Sequence, residues 1–312
     1  MSELLSHEFL GPLAAFASSW TWAVGVSAYS HLATRYPAAS VNITRAMVAL
    51  PVAVIFGLLT YGSLSGLRDA LVAVSITRLL WLTLAMFSGY AFGDVLFLMS
   101  TRAIGAPAAL AIASCYPFWS ALAGFIFLGE VVTLLKSAGI ACTVGGTILV
   151  ILSGTRALKV GDQTKDSKSR NLYLRGVILA LLTSGLWSIN AYSTTVGGRG
   201  LSVAVATITR LGIALVLCPI VAAVMTRRWA GPVAKVDLKR FFIVFLIEGF
   251  GGATLYMYGL GHSSIAAGSA LSALSPAIAA PLAWLSGVER FSMLRTAGIL
   301  LALLGVILLM IP

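Results

Sequence analysis

The chain has 312 residues, of which 59% are hydrophobic and only 10% charged, with a mean hydropathy of +0.98. A soluble surface takes about 25% charged residues, so lipid replaces water as the solvent for most of this molecule and no sizeable soluble domain fits. The formal charge of +11 is no sign of nucleic acid, because the basic residues sit in short connections between apolar runs, where the positive-inside rule places them.

Apolar runs long enough to cross a hydrocarbon core of ~30 Å recur at residues 9–33, 38–60, 79–101, 105–128, 133–153, 172–196, 202–225, 239–260, 264–286 and 293–311. Without alternating strand-like segments, such runs satisfy their backbones in lipid only as helices, so ten transmembrane helices are expected. The stretch before Phe9 offers Glu3, His7 and Glu8 in place of a basic leader, and span 1 is therefore expected to be structural and not a cleaved signal. Span 1 carries Trp20, Trp22 and Tyr29, and span 2 carries Arg45. Span 3 holds Tyr90 and Asp94, and span 4 holds Pro117 in its middle. After span 5, residues 154–171 form a charged linker. Span 6 then brings Trp187 and Asn190, span 7 Arg210, span 8 Glu248, Tyr256 and Tyr258, and span 9 Pro276. Three longer polar connections are expected, at 61–78, 156–171 and 226–238. Cys115, Cys142 and Cys218 all lie inside spans with no metal or disulfide spacing, and read as small apolar fillers.

An internal repeat runs through this order. Trp22 and Arg45 recur 165 residues later as Trp187 and Arg210, Asn42-Ile43-Thr44-Arg45 answers Thr207-Ile208-Thr209-Arg210, and Gly11 answers Gly176. Beyond the second span the offset becomes 159: Pro117 matches Pro276, Glu130 matches Glu289, Gly139 matches Gly298, and Gly146 matches Gly305. Arg, Trp, Pro and Glu are not low-complexity fillers, so a duplication is read, with halves at 9–153 and 172–311 joined by a cytoplasmic linker. Five helices per half is an odd number, so the second half enters the membrane from the opposite side, an inverted repeat of the kind secondary transporters use. Counting flanking residues, Lys and Arg number 15 on connections 1–2, 3–4, 5–6, 7–8 and 9–10 and 4 on the opposite side. That asymmetry places both termini on the non-cytoplasmic side.

Four ionisable residues fall within spans: Arg45, Asp94, Arg210 and Glu248. An unpaired Arg or Asp at mid-helix costs about 2.5–3.5 kcal/mol on insertion scales, so two cations and two anions suggest pairing. Structural salt bridges, or arginines snorkelling to headgroups, would account for Arg45 and Arg210. Asp94 and Glu248 are too short to snorkel far, and a carboxylate in low dielectric can take a proton or a cationic group. Trp22, Trp187 and Asn190 lie deep in their spans beside small polar residues, consistent with a cavity wall and equally with helix packing. Pro117 and Pro276 remove a backbone hydrogen bond each and predict symmetric kinks able to gate. Runs of small residues at 106–114 and 265–273 permit close helix approach.

The ordered set of Trp in the first helix of each half, Arg early in the second, Pro then Glu in the fourth (Glu130, Glu289) and Gly in the fifth resembles the drug/metabolite transporter superfamily, specifically its EamA-type ten-helix transporters. The resemblance covers essentially residues 9–311. It implies an all-α integral membrane protein, ten transmembrane helices in two inverted five-helix repeats around a central cavity lined mainly by helices 1, 3, 4, 6, 8 and 9. By that likeness Trp22, Tyr90, Asp94, Trp187, Asn190, Glu248 and Tyr256 are the substrate-binding candidates, and helices 5 and 10 lie at a packing or homodimer interface. Asp94 answers Ala253 and Glu248 answers Gly89, so the acids break the repeat symmetry, and no fixed acidic positions carry over from the family.

The function expected is a secondary transporter in a bacterial inner membrane, exporting small metabolites such as amino acids or amines by alternating access, with proton coupling or ion pairing at Arg45, Asp94, Arg210 and Glu248. Its partners are then a small-molecule substrate and the lipid bilayer. An importer or a nucleotide-sugar-like carrier is the alternative within the class. An intramembrane enzyme is disfavoured: His7, His31 and His262 all lie near membrane ends, with no H-E-x-x-H and no nucleophile–base pair. A receptor without transport is the remaining reading. No cofactor or metal is expected, and the chain carries no phosphate-binding loop for direct use of ATP.

Overall fold

The computed structural model describes residues 2–119, 122, 133–160, 167–263, 265–285 and 291–310. In chain order these form α1 (Ser2–Arg35), α2 (Ala38–Tyr61), α3 (Leu64–Val72), α4 (Ile76–Met86), a π-helical turn π1 (Phe87–Ala91), α5 (Gly93–Ile104) and α6 (Ala106–Ala113). They continue as α7 (Leu134–Val160), α8 (Ser167–Gly198), α9 (Val203–Thr226), α10 (Lys235–Leu246), a second π turn π2 (Ile247–Gly252), α11 (Ala253–Gly261), α12 (Ile265–Ser272), α13 (Ser275–Leu285) and α14 (Met293–Met310). Among the described residues there is no strand, and five helices are long and apolar enough to cross a membrane: 38–61, 76–104, 170–198, 203–226 and 235–261.

Local chemistry sets the helix ends. Pro37 forces the residue before it out of the helical region, so α1 ends at Arg35 and α2 begins at Ala38. Gly62 closes α2 in the left-handed conformation, φ 69°, and donates its N–H to the Leu58 carbonyl at 2.8 Å. Ser63, Ser75 and Ser202 cap α3, α4 and α9 by accepting a backbone N–H.

The chain divides into two compact units, residues 1–95 with 189–272, and residues 96–188 with 273–312. Each unit draws on both halves of the sequence, so neither coincides with a sequence half. In both, polar side chains are buried among apolar ones, and many large apolar side chains also face outward. Asn42, Thr44, Arg45, Ser184, Thr194 and Glu248 are buried, whereas Leu59, Val216, Val224 and Ile243 are exposed. Exposed apolar side chains of that size suit a lipid-facing shell.

Contacts inside each unit repeat at the sequence offsets. In the first unit a side chain at Gly11 would strike the His262 backbone, and in the second a side chain at Gly176 would meet Ala103 and Ile104; 262 and 103 differ by 159. Helices α7 and α14 pack backbone to backbone in the second unit through Gly146, Gly298 and Gly305. A Cβ on Gly298 would come 2.8 Å from the Gly146 carbonyl oxygen, and one on Gly305 would strike Thr143. Spans 5 and 10 thus use their glycines on each other.

Four features differ from the expectations. The polar connection at 61–78 contains α3, an amphipathic helix whose Leu67 is buried against Ala49, Ala53 and Ile208. Helix α7 runs through Leu152 to Val160, and α8 starts at Ser167, so the linker is largely helical at both its ends. Pro117 and Pro276 do not kink continuous helices. Each follows a two-residue break, at 114–115 and 273–274, and sits in the first turn of the next segment, where its missing N–H has no intrahelical partner to lose. Spans 3 and 8 each contain a π turn. Glu130 and Glu289 lie outside the described residues.

Candidate functional site

The first unit encloses a buried ion cluster built on α1, α2, α5 and the two π turns. A π turn inserts one residue into the α ladder and leaves a carbonyl without its usual partner. In π1 the Phe92 N–H reaches back five residues to the Phe87 carbonyl at 2.9 Å, and the Tyr90 carbonyl accepts instead from Asn42 Nδ2 at 2.6 Å. Asn42 lies one turn before Arg45 on α2, so the amide that satisfies the irregular backbone also faces the guanidinium, accepting from Arg45 Nη1 at 3.0 Å.

Arg45 is 4% exposed and makes four polar bonds. Its fork grips Glu248 with two of them, Nε to Oε2 at 2.8 Å and Nη2 to Oε1 at 2.7 Å, and Nη1 donates to Asp94 Oδ2 at 2.7 Å. The Tyr29 hydroxyl donates to Glu248 Oε2 at 2.6 Å. Three aromatic faces surround the cation, with Trp22, Tyr29 and Tyr90 centroids at 5.1, 4.9 and 4.2 Å from Cζ. Bidentate, charge-assisted bonds and desolvated cation–π contacts are the strong forms of both interactions. With all three groups ionised, Arg45, Asp94 and Glu248 carry a formal charge of −1, in a place where an added cation or proton is favoured electrostatically.

The expected site residues divide between the units. Trp22, Arg45, Tyr90, Asp94 and Glu248 come together in this cluster. Arg210 and Tyr256 form another group in the same unit, with Arg210 Cζ 5.6 Å from the Tyr256 ring centroid. Asn190 fills the space beside Gly89, where a Cβ would strike its amide, and its Oδ1 accepts from Thr194 Oγ1 at 3.2 Å.

Trp187, Pro117 and Pro276 belong to the second unit. Trp187 packs against Phe97 and Tyr116, at centroid distances of 5.1 and 6.4 Å. Nearby on α8, Ser184 accepts from Trp119 Nε1 at 3.0 Å. The break at 114–115 lies beside Pro276: Ser114 and Cys115 line one small cavity with Pro276, Ile299 and Ala302. Sequence reasoning singled out neither Tyr29 nor Asn42 as a site residue. Helical spacing held the signal, since Tyr29 is two turns beyond Trp22 and Asn42 one turn before Arg45.

The profile of the EamA-like transporter family matches the chain twice, at residues 9–152 and 174–311. The chain belongs to the EamA-like transporter family. It is therefore a multi-pass membrane transporter of the drug/metabolite type, made of two five-helix repeats. No curated protein sequence matches it. One solved crystal structure superimposes with a TM-score of 0.62 over 96% of this chain and 94% of its own, at 15% identity, a likeness of fold alone. Among the described residues of this EamA-like transporter, no group of three or more His, Cys, Asp or Glu is placed to hold a metal ion.

Proposed function

We propose that the protein is a secondary transporter of a bacterial inner membrane that exports small amphiphilic metabolites, amino acids or amines, by alternating access, coupled to protons at the Arg45–Asp94–Glu248 cluster. The buried, formally net-negative ion cluster carries this reading. A purely structural pair would need one carboxylate for one guanidinium. Here two are desolvated around a single cation, and the excess charge gives a proton or a substrate ammonium a reason to enter.

The cluster also offers a coupling mechanism. Arg45 comes from the first half of the sequence and Glu248 from the second. Rocking of one half against the other, the simple picture for an inverted repeat, breaks that pair. A proton or ammonium on Glu248 weakens the same pair, so occupancy lowers the barrier to the change of access. In this reading both termini face the non-cytoplasmic side, residues 154–171 face the cytoplasm, and the breaks before Pro117 and Pro276 act as gates.

The test is counterflow in proteoliposomes, using metabolites selected by thermal shift of the purified protein at two pH values. Asp94→Asn and Glu248→Gln are expected to insert normally and to lose flux or its pH dependence. Unchanged pH-dependent flux in both variants refutes the assignment.

A further inference from the structure

The two arginines of the repeat sit in opposite electrostatic situations. Arg45 has two carboxylates and a carboxamide. Arg210, its counterpart, is 7% exposed, has no carboxylate within 4 Å among the described residues, and its Nε is buried with no hydrogen-bond partner. Among the described residues its ring contact is with Tyr256, and Tyr90 and Asp94 lie near enough to act on it electrostatically without bonding it.

The cause is legible position by position. Gly25 leaves room for Glu248, whose Cγ would lie 2.8 Å from a Cβ there. The residue matching Gly25 is Asn190, and the residue matching Glu248 is Gly89, and these two are also in contact. The exchange has turned the carboxylate into a neutral amide. The hydroxyl is preserved in kind, since Tyr29 donates to Glu248 and the matching Thr194 donates to Asn190. Asp94, the other acid, is matched by Ala253.

The first copy therefore holds a cation with its anions supplied, and the second holds a cation with them removed. Buried polar groups without partners are rare in native structures and call for an explanation. Around Arg210 they gather: Thr207 Oγ1, one turn earlier on the same face of α9, and the hydroxyl of Tyr90, which lies near enough to act on Arg210 electrostatically and shares a buried cluster with Ala214, also lack hydrogen-bond partners.

We propose that Arg210, with Tyr256 and Thr207, is the anion subsite of the carrier and binds the carboxylate of its substrate, so that the transported class is amino acids and not simple amines. The inference rests on the carrier reading above. A guanidinium presents a planar fork of donors that fits a carboxylate bidentately, and the flanking hydroxyl at Thr207 adds a further donor. The net-negative cluster at Arg45 takes the ammonium end or the coupling proton.

Counterflow of leucine, phenylalanine and threonine is compared with that of their amides and of phenethylamine. The wild type is expected to exchange the acids about tenfold or more faster than the amides, because a site built around a buried donor rejects a ligand lacking its acceptor. Arg210→Gln brings that ratio to about one, and Arg210→Lys retains part of it. Gly89→Glu combined with Asn190→Gly supplies Arg210 with an internal carboxylate. This double variant is expected to lose the preference for acids while unfolding at no lower temperature than the wild type, an outcome a purely structural arginine would not produce.

Exchange of amides and amines as fast as acids, or a ratio that survives Arg210→Gln, overturns the anion subsite and leaves the carrier reading intact. Exchange of none of these probes by the wild type overturns both. Loss of one copurified anionic phospholipid from Arg210→Gln, with the acid preference unchanged, assigns Arg210 to a lipid phosphate and likewise overturns the proposal.

Discussion

Glu248→Gln separates the energetic role of the ion cluster from its chemical one. Glu248 accepts two charge-assisted bonds from Arg45, at 2.8 and 2.7 Å, and one from the Tyr29 hydroxyl at 2.6 Å. Gln keeps one acceptor oxygen and turns an amide N–H₂ toward groups that are themselves donors. The loss amounts to about one charge-assisted bond, roughly 1.5–3 kcal/mol. Arg45 keeps Asp94 at 2.7 Å and its three aromatic faces, so the cost stays below the about 3–5 kcal/mol of a buried charge left without its partner. Arg45→Met is the opposite case. It strips the cation from two buried carboxylates and is expected to cost about 3–5 kcal/mol or more. The assay is equilibrium unfolding of the purified protein in detergent micelles, followed by circular dichroism. Both variants unfolding within about 0.5 kcal/mol of the wild type, or Glu248→Gln costing more than Arg45→Met, would refute the assignment of these distances to strong, desolvated pairing.

Other outcomes follow from packing and topology. In a background lacking the native cysteines, Ser75→Cys is expected to react with an impermeant thiol reagent from outside the cell and Arg228→Cys only after permeabilisation. The reverse pattern refutes the orientation. Gly305→Val drives a branched side chain into the Thr143 backbone and is expected to cost about 1–3 kcal/mol by overpacking, read as a lowered unfolding temperature. Gly212→Ala, at a glycine with open space around it, is the matched control and should be neutral. The Tyr36 hydroxyl donates to Asp237 Oδ2 at 2.7 Å, and that bond raises the phenol above its ordinary value. Its contribution to stability is full below about pH 10 and is lost as the pH rises through the raised value. Tyr36→Phe should therefore flatten the alkaline limb of the stability profile and leave the neutral range little changed.

The membrane class, the helix positions and the duplication were legible because their signals are periodic and coarse. Ten apolar runs and two recurring offsets survive any local detail. The pairing of Arg45 with acids was also legible, since a buried charge in lipid is costly without a partner. The choice of partners was not. The linear order set Asp94 and Glu248 as equals and left Arg210 to share them, whereas the structure gives both to Arg45. That selection depends on the π turns, which re-aim Tyr90 and Glu248, and a one-residue insertion in an apolar helix has no compositional mark. Two glycines, Gly25 and Gly89, matter through the neighbours they admit, Glu248 and Asn190, and a neighbour distant in the chain cannot be read from a glycine. The breaks before Pro117 and Pro276 were anticipated as kinks because proline marks the place but not the degree of interruption. The amphipathic α3 was hidden inside a connection judged by polarity alone.

The exchange of Gly25 and Glu248 for Asn190 and Gly89 has a bearing on how such a molecule arose. At each of the two places the backbones leave space for one side chain, and the copies fill it from opposite partners. Side chains on both helices at either place would clash, so a change of partner at one place runs through glycine on both helices there. With an acid filling one place and an amide the other, the two copies differ in charge although they share a backbone, and the molecule has a polarity that a symmetric duplication would lack.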